Sequence, residues 1–396
     1  MLRGFGLAIT ILLCPLAYSS ADTAPVQGAN AALKYWQAFA TLPHFTDAEQ
    51  QKLSLQRLSD PLDAQARDIV KRGDYALRML HLGAAMPRCD WGIPYEEGIN
   101  IYLPHGQATR PLCALACLRA RMRFEDGNTA GAIDDIVAAM KLGRDVARDG
   151  LNITLLLGYA VEHHGIETLA LYLSRLKTTA IKDLKARLDA LPEGGSPAAT
   201  LRNEKNWALE WFIKKVTEAK DKETLVAFLG QCSEPDEKKR DAAERGEALL
   251  QECGGSADGV LKFAQETKRS YELMENKLTL PLAQFETEWE REQMKQSGNP
   301  VFRVIFPAIH KVRMAEARAL VRRALLAAAL DVQSNGREAL KNHADPVVGG
   351  PFEYVAFEGG FELRSPWKVD DALRAKWELD DRLSKPITLT VGRRGK

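Results

Sequence analysis

The sequence predicts a mainly α-helical protein, built from antiparallel helical hairpins and closed by a small C-terminal β-hairpin. Most of the chain after residue 30 has apolar residues at helical spacing, and Pro, Gly and capping residues such as Thr46 interrupt the pattern. Only residues 345–396 differ, because their short aromatic-rich runs flank Glu358-Gly359-Gly360, which is a hairpin signal. A composition of 45% hydrophobic and 27% charged residues is typical of a globular protein with a substantial core.

Residues 1–21 have the pattern of a secretory signal peptide. Arg3 supplies the positive charge, residues 7–13 are an apolar run, and small residues up to Ala21 provide a cleavage site. The apolar run is too short to span a bilayer. The sequence therefore predicts export to the periplasm, the cell envelope or the exterior, with no transmembrane segment after cleavage.

The mature chain is expected to fold as two helical domains followed by a small β element. Residues 22–192 form the predicted N-terminal helical domain, and residues 193–344 form the C-terminal one. The boundary is placed at the PEGGSP stretch, which is typical of a hinge. Residues 345–396 contain the β-hairpin element and tail, and Ile387 to Val391 could add a third strand to the hairpin. One helix is predicted from Pro61 to about Ala85, and a long one from Phe302 to about Ser334.

One predicted hairpin in the N-terminal domain resembles a tetratricopeptide repeat. It consists of helix 109–124, the turn 125–128 and a helix from Thr129, and Arg123 stands where the repeat has an aromatic residue. No second copy follows at a 34-residue period, so a single hairpin is predicted rather than an array. The small and apolar residues that match the repeat are Ala120, Gly127, Ala132, Ile136, Ala139 and Leu142.

Several segments also resemble uncharacterised secreted helical proteins of planctomycete bacteria. They are ALKYWQAFATLP, CDWG, LRARMRFEDGN, AIDDIVAAMKLGRDV and GGPFEYVAFEGGFELRS. The resemblance covers most of the mature chain and implies export and a mostly helical fold. It implies no activity, ligand or catalytic residue.

The predicted loop from Pro87 to Gly106 is the first place to look for a ligand site. Loops on helical scaffolds carry function more often than packed faces do. The sequence nevertheless favours a structural plug, in which Trp91 and Tyr95 fill a gap between hairpins. Cys89 and His105 could also form a nucleophile pair, although nothing in the sequence activates the thiol. The polar and aromatic residues of this predicted ligand loop are Cys89, Trp91, Tyr95, Glu96, Tyr102 and His105.

A low-probability metal site is considered around His163. On a helix His163 and Glu167 are four residues apart and meet, and a third ligand would come from His105 or the Asp134-Asp135 pair. The spacing matches neither zinc-protease motif, and a local hydrogen bond is the alternative.

A basic stripe on the long C-terminal helix is expected to suit an anionic envelope surface. Lys311, Arg318 and Arg322 follow helical spacing, and residues 303–341 contain eight basic residues against three acidic ones. A solvated helix face is the alternative.

The remaining motifs limit the function classes. The sequence has no P-loop, dinucleotide-binding glycine pattern, Gly-x-Ser-x-Gly elbow or EF-hand loop, so no enzyme class and no cofactor are predicted. A net charge of +1 disfavours nucleic acid as a partner. The sequence therefore predicts a non-catalytic scaffolding or interaction role with a protein partner. An enzyme or metal-binding protein with its site near residues 89–105 and 162–167 is one alternative, and peripheral contact with the envelope is another.

Overall fold

The computed structural model describes residues 29–233, 241–369, 371–376 and 385–394. Within them the chain is mainly α-helical and ends in a small antiparallel sheet, which confirms the predicted fold class. The predicted signal peptide, residues 1–21, lies outside the described residues. None of the described helices is sufficiently long and apolar to span a bilayer.

Local capping signals fix the first helices. Thr46 and Glu49 form the expected capping box. The single helix predicted from Pro61 to Ala85 is wrong: two helices meet at Gly73, where a Cβ atom would lie 2.3 Å from a methyl carbon of Leu115. The elements are α1 (Ala31–Ala40), α2 (Asp47–Lys52), a 3₁₀ turn (Leu55–Arg57), α3 (Ala64–Arg72) and α4 (Asp74–Ala84).

Three long helices form the antiparallel centre of the N-terminal half. They are α5 (Pro104–Glu125), α6 (Thr129–Ala147) and α7 (Asn152–Leu173). α6 and α7 approach closely at two glycines, since a Cβ atom on Gly158 would lie 2.7 Å from the carbonyl oxygen of Gly143. A 3₁₀ turn, Tyr95–Asn100, lies in the loop that precedes α5.

A second group of helices follows the PEGGSP stretch. Its first helix is interrupted by one π-helical turn, Lys205–Leu209, where the sequence indicated continuous α-helix. One helix, α8 (Thr178–Asp189), lies between α7 and the PEGGSP stretch. The α-helices that follow the stretch are α9 (Pro197–Glu204), α10 (Glu210–Glu218), α11 (Lys222–Cys232), α12 (Ala242–Glu252), α13 (Ala257–Lys277) and α14 (Leu282–Lys295).

The long helix predicted from Phe302 is also two helices. α15 (Pro300–Ile305) ends before Pro307, and α16 (Ile309–Asn335) begins after it. Proline has no N–H to donate and disfavours helical backbone at the preceding residue, and Phe306 is accordingly extended with ψ 125°.

The C-terminal sheet has the strand order β1–β2–β3, with both pairs antiparallel. The predicted hairpin and third strand are confirmed. β2 and β3 pack against α16, and the N–H of Gly392 donates to the carbonyl oxygen of Ala170 on α7. The elements are a 3₁₀ turn (Arg337–Asn342), β1 (Glu353–Phe357), β2 (Gly360–Arg364), α17 (Asp371–Lys376) and β3 (Thr388–Val391).

Two large clusters of buried side chains make up most of the core. One lies within residues 31–161 and joins α1, α3, α4, α5 and α6. The other runs from Ala120 to Val391 and includes side chains from both sides of the predicted boundary at residue 193. The two predicted helical domains are therefore packed together through shared core residues.

Candidate functional site

The predicted ligand loop is anchored on the N-terminal core by Trp91. The indole N–H of Trp91 donates to the carbonyl oxygen of Asp145 over 3.1 Å, and the side chain is buried. Its ring stacks on Tyr35 at a centroid distance of 5.7 Å and on Phe39 at 6.1 Å. Trp91 therefore fills a gap between α1 and α6, as the plug interpretation of this loop predicts.

His105 is held from two sides in the first turn of α5. Its Nε2 atom lies 3.0 Å from Oδ2 of Asp149, and both side chains are at most 2% exposed. The imidazole also stacks on Trp91. Asp149 accepts further hydrogen bonds from the main-chain N–H of Leu151 and the hydroxyl of Thr154. This pair joins the loop, α5 and the turn between α6 and α7.

The geometry does not provide an activated nucleophile at Cys89. Burial, followed by the charge of Asp145, raises the pKa of the Cys89 thiol to about 12. A thiol with such a pKa is protonated at neutral pH and is a poor nucleophile. His105, the base that the sequence suggested, is paired with Asp149 instead. The five cysteines in the described part of the chain are all free thiols.

Two adjoining cavities flank this loop: the first faces the helices around the π-helical turn, and the second faces the end of α6 and the turn after it. The first has a volume of about 520 Å³, and the second has a volume of about 430 Å³. Tyr95 and Asn203 line both, so one residue from each side forms the shared wall. We call the two cavities together the loop–π cleft. The other walls of the first cavity include Glu96, Asn206, Trp207, Glu210, Trp211 and Lys214.

The π-helical turn shapes one wall of this cleft. A π turn fits one additional residue into a helix and is found frequently at functional sites. Trp207 lies in the turn and Trp211 lies one turn later, and both are half-buried. The indole N–H of Trp207 is buried without a hydrogen-bond partner among the described residues. This N–H is enclosed by protein and is not exposed to the cavity.

Gly98 allows the loop to seat against Trp211. Its φ angle is +60°, and a Cβ atom there would lie 2.1 Å from Cδ2 of the Trp211 ring. Only glycine combines this backbone conformation with so close an approach. The contact fixes the distance between the two walls of the cleft.

Glu204, directly before the π turn, is a half-buried residue whose carboxyl group has a raised pKa. Its oxygens accept hydrogen bonds from the main-chain N–H and the side-chain amide of Asn152. Burial raises its pKa to about 7, and the two hydrogen bonds from Asn152 oppose the shift. Thr200 donates to the amide oxygen of Asn152 over 2.8 Å. These bonds fix the π turn against the start of α7.

The predicted metal candidates lie in different places. The Nε2 atom of His163 is 3.4 Å from Oε1 of Glu167, so the two meet as expected, but His105 is paired with Asp149. No group of three or more His, Cys, Asp or Glu residues suited to a metal ion occurs within the described ranges. Glu162 instead receives hydrogen bonds from Arg144 and Arg323 and links α6, α7 and α16.

The residues of the predicted basic stripe differ in exposure. Lys311 is exposed, whereas Arg318 and Arg322 are half-buried. Burial lowers the pKa of Arg322, and the neighbouring charge of Glu167 opposes this shift. A flat anionic surface would therefore meet Lys311 before it met the two arginines.

The remaining residues of the predicted loop divide into two groups. Tyr95 donates its hydroxyl to the carbonyl oxygen of Asp149, while Glu96 is exposed at the first cavity. Tyr102 is 68% exposed and lines neither cavity of the cleft. The sequence did not single out Asn203, Asn206 and Glu204, although their polar side chains beside two tryptophans were an available signal.

The sequence also gave no sign of a buried ion cluster at Asp135. The sequence considered the Asp134-Asp135 pair only as the source of a third metal ligand, and the side chain of Asp135 is fully buried. Its carboxylate forms ion pairs with Arg119 at 2.6 Å and with Arg123 at 3.0 Å. Nε2 of His81 lies 2.7 Å from the same carboxylate. The cluster is fully paired and joins α4, α5 and α6.

Comparison of this chain with protein-family models, with curated proteins and with solved structures found no match in any of the three.

Proposed function

We propose that this chain is an exported, non-catalytic binding protein of the cell envelope or the exterior, and that the loop–π cleft is its recognition site. The observation that carries the proposal is the shared lining of the two cavities by Tyr95 and Asn203. A concave site with aromatic walls and a few convergent polar groups is the usual form of a ligand-binding site. Its walls come from two regions of the chain that packed core residues hold together.

The chemistry of the loop favours binding over catalysis. A catalytic pair needs a nucleophile and a base within hydrogen-bond reach, with the nucleophile activated. Cys89 has a raised pKa and His105 is enclosed by Trp91 and Asp149. The titratable groups of the loop therefore serve to hold the site in shape.

The predicted signal peptide and the resemblance to secreted helical proteins support the exported location. The helical scaffold supports an interaction role, because stacked helical hairpins present rigid surfaces on which a loop can be positioned. A ligand would reach the cleft from the side of Glu96, which is exposed at the first cavity.

Site-specific photocrosslinking in the native envelope tests this function. A benzophenone amino acid replaces Glu96 in one variant and Met294 in the matched control; Met294 is 71% exposed and lines neither cavity. Adducts are identified by mass spectrometry. We expect one reproducible adduct from position 96 and none from position 294. Equal labelling at both positions, or none at position 96 in a folded protein, contradicts the proposal.

A further inference from the structure

We propose that the ligand of the loop–π cleft is a saccharide, bound by stacking of a sugar ring on the aromatic wall and by hydrogen bonds to neighbouring amides. The inference rests on the proposed binding function and specifies its ligand class. It is drawn from the types of side chain that line the first cavity and from their charge balance.

The aromatic side chains supply the apolar part of the site. Tyr95, Trp207 and Trp211 line one cavity, and each is half-buried. A pyranose ring has a face of C–H bonds that can lie on the face of an aromatic ring, and the hydroxyl groups at its edge remain free for hydrogen bonds. Tyrosine and tryptophan suit such a ligand because each combines a broad apolar face with a polar tip.

The polar side chains match neighbouring hydroxyl groups. Asn203 and Asn206 each offer two N–H donors and a carbonyl acceptor. A hydroxyl group both donates and accepts, so an amide can satisfy two adjacent hydroxyls of one ring.

The charge balance favours a neutral ring over a cation. Glu210 is already paired with Lys268 at 2.5 Å, and Lys214 lies in the same wall. Glu96 is the other acidic residue in the lining of the first cavity, and its side chain is exposed to solvent. A quaternary ammonium ligand needs an aromatic cage around the charge, usually with desolvated rings. Within the described residues, Tyr95, Trp207 and Trp211 make no ring contacts with one another, and Trp211 packs on Phe228 instead. The three rings therefore do not form such a cage.

The size of the cleft suits more than one ring. A volume of about 520 Å³ lies within the range of about 300–1,000 Å³ that is usual for small-molecule sites. The second cavity begins at the shared wall of Tyr95 and Asn203 and is more polar, with Arg148 and Asp90 in its lining. An oligosaccharide could therefore stack in the first cavity and extend into the second.

Titration calorimetry and tryptophan fluorescence of the full mature chain test the proposal. The probes are chitotetraose, cellotetraose and maltotetraose, with tetramethylammonium as the cationic comparison. We expect at least one tetrasaccharide to bind with a Kd below about 1 mM and to change the tryptophan emission, and tetramethylammonium not to bind. Tighter binding of tetramethylammonium than of every saccharide overturns the proposal.

Variants link the binding to the cleft. Asn206→Ala removes an exposed amide and should weaken saccharide binding about tenfold, corresponding to about 1.4 kcal/mol. Trp207→Ala should abolish it, and Trp207→Phe should retain part of it because the ring face remains. Tyr102→Ala, in the same loop but outside the cleft, should bind as the unmodified chain does. Binding that all four variants leave unchanged contradicts the proposed site.

The two proposals fail in different ways. If no tetrasaccharide binds and position 96 still gives a specific crosslink, the saccharide class is wrong and the binding function stands. If neither a saccharide nor a crosslink is found, both proposals are wrong.

Discussion

The indole ring of Trp91 stacks on the imidazole ring of His105, with their centroids 4.7 Å apart and their planes 17° apart. The same imidazole pairs with Asp149, whose Oδ2 atom lies 3.0 Å from Nε2 of His105. The two contacts turn a loop of about 20 residues into an ordered wall. They also occupy Nε2 of His105, the histidine that the sequence paired with Cys89.

Trp91→Ala is expected to destabilise the fold strongly. Replacing a buried Trp or Phe by Ala usually costs about 3–5 kcal/mol, because a cavity remains, and here the hydrogen bond to Asp145 is lost as well. Urea denaturation followed by circular dichroism measures the change. Tyr102→Ala is the control and should change the free energy of unfolding by less than about 0.5 kcal/mol. A Trp91→Ala protein as stable as this control would refute the anchoring role.

Gly98→Ala and Gly92→Ala form a matched pair that tests the contact between the two walls. Both glycines have positive φ, so both variants carry a backbone cost, which is larger at Gly98 because its ψ of −133° lies outside the left-handed helical region. Only the new methyl group at Gly98 meets Trp211, while open space surrounds Gly92. We expect Gly98→Ala to be less stable than Gly92→Ala by about 1–3 kcal/mol and to change the tryptophan emission. Equal stabilities and unchanged emission would show that the contact is absent in solution.

Glu204 should make stability depend on pH below neutrality. Its pKa is about 7 in the folded chain against an ordinary 4.5, so the folded state binds more protons between these values. Its stabilising contribution is full below about pH 4.5 and is lost as pH rises through about 7, by up to about 3 kcal/mol. Urea denaturation at pH 5, 6, 7 and 8 measures this slope.

Two variants isolate the contribution of Glu204 to that slope. Glu204→Gln cannot ionise and should lose the part of the pH dependence that falls between pH 5 and 8. Glu358→Gln changes an exposed glutamate in the β1–β2 turn and should keep the slope of the unmodified chain. If Glu204→Gln and the unmodified chain have the same slope, Glu204 is not the titrating group.

Cys89 should react slowly with alkylating agents in the folded protein. At pH 8 a thiol of pKa about 12 is about 0.01% ionised, so it should react about 1,000-fold more slowly than an ordinary free cysteine. Peptide mapping after brief iodoacetamide treatment gives the extent of modification at each cysteine. The same treatment in urea should modify all five cysteines of the described chain. Rapid modification of Cys89 in the folded protein would restore the catalytic alternative.

Local signals in the sequence were sufficient for much of the fold. The capping box at Thr46 and Glu49, and the turn residues between β1 and β2, act over a few residues and are visible without tertiary information. The third strand was also expected, because its alternating β-branched and apolar residues need a neighbour.

Interruptions of long helices depended on contacts that the sequence does not show. Gly73 separates two helices where Leu115 approaches closely. The π turn at residues 205–209 has no capping residue, proline or glycine to mark it, since a continuous helical pattern runs through it. Pro307 was a visible signal, and the uninterrupted prediction across it ignored a local rule.

The candidate site was predicted in part. The loop around Trp91 and Tyr95 was singled out because aromatic and polar residues concentrate there, and Tyr95 and Glu96 line the cleft. The opposite wall comes from residues more than 100 positions later in the chain. Nothing in one sequence pairs such distant segments, because that pairing arises from packing of α5, α6, α7 and α9.

Hydrogen–deuterium exchange of the mature chain, with and without an extract of the native envelope, tests most directly that the loop–π cleft is the recognition site. The account predicts slower exchange in peptides covering residues 88–103 and 203–214 together, and unchanged exchange in residues 282–295 of α14. Slower exchange confined to other segments, or none at saturating extract, would contradict it.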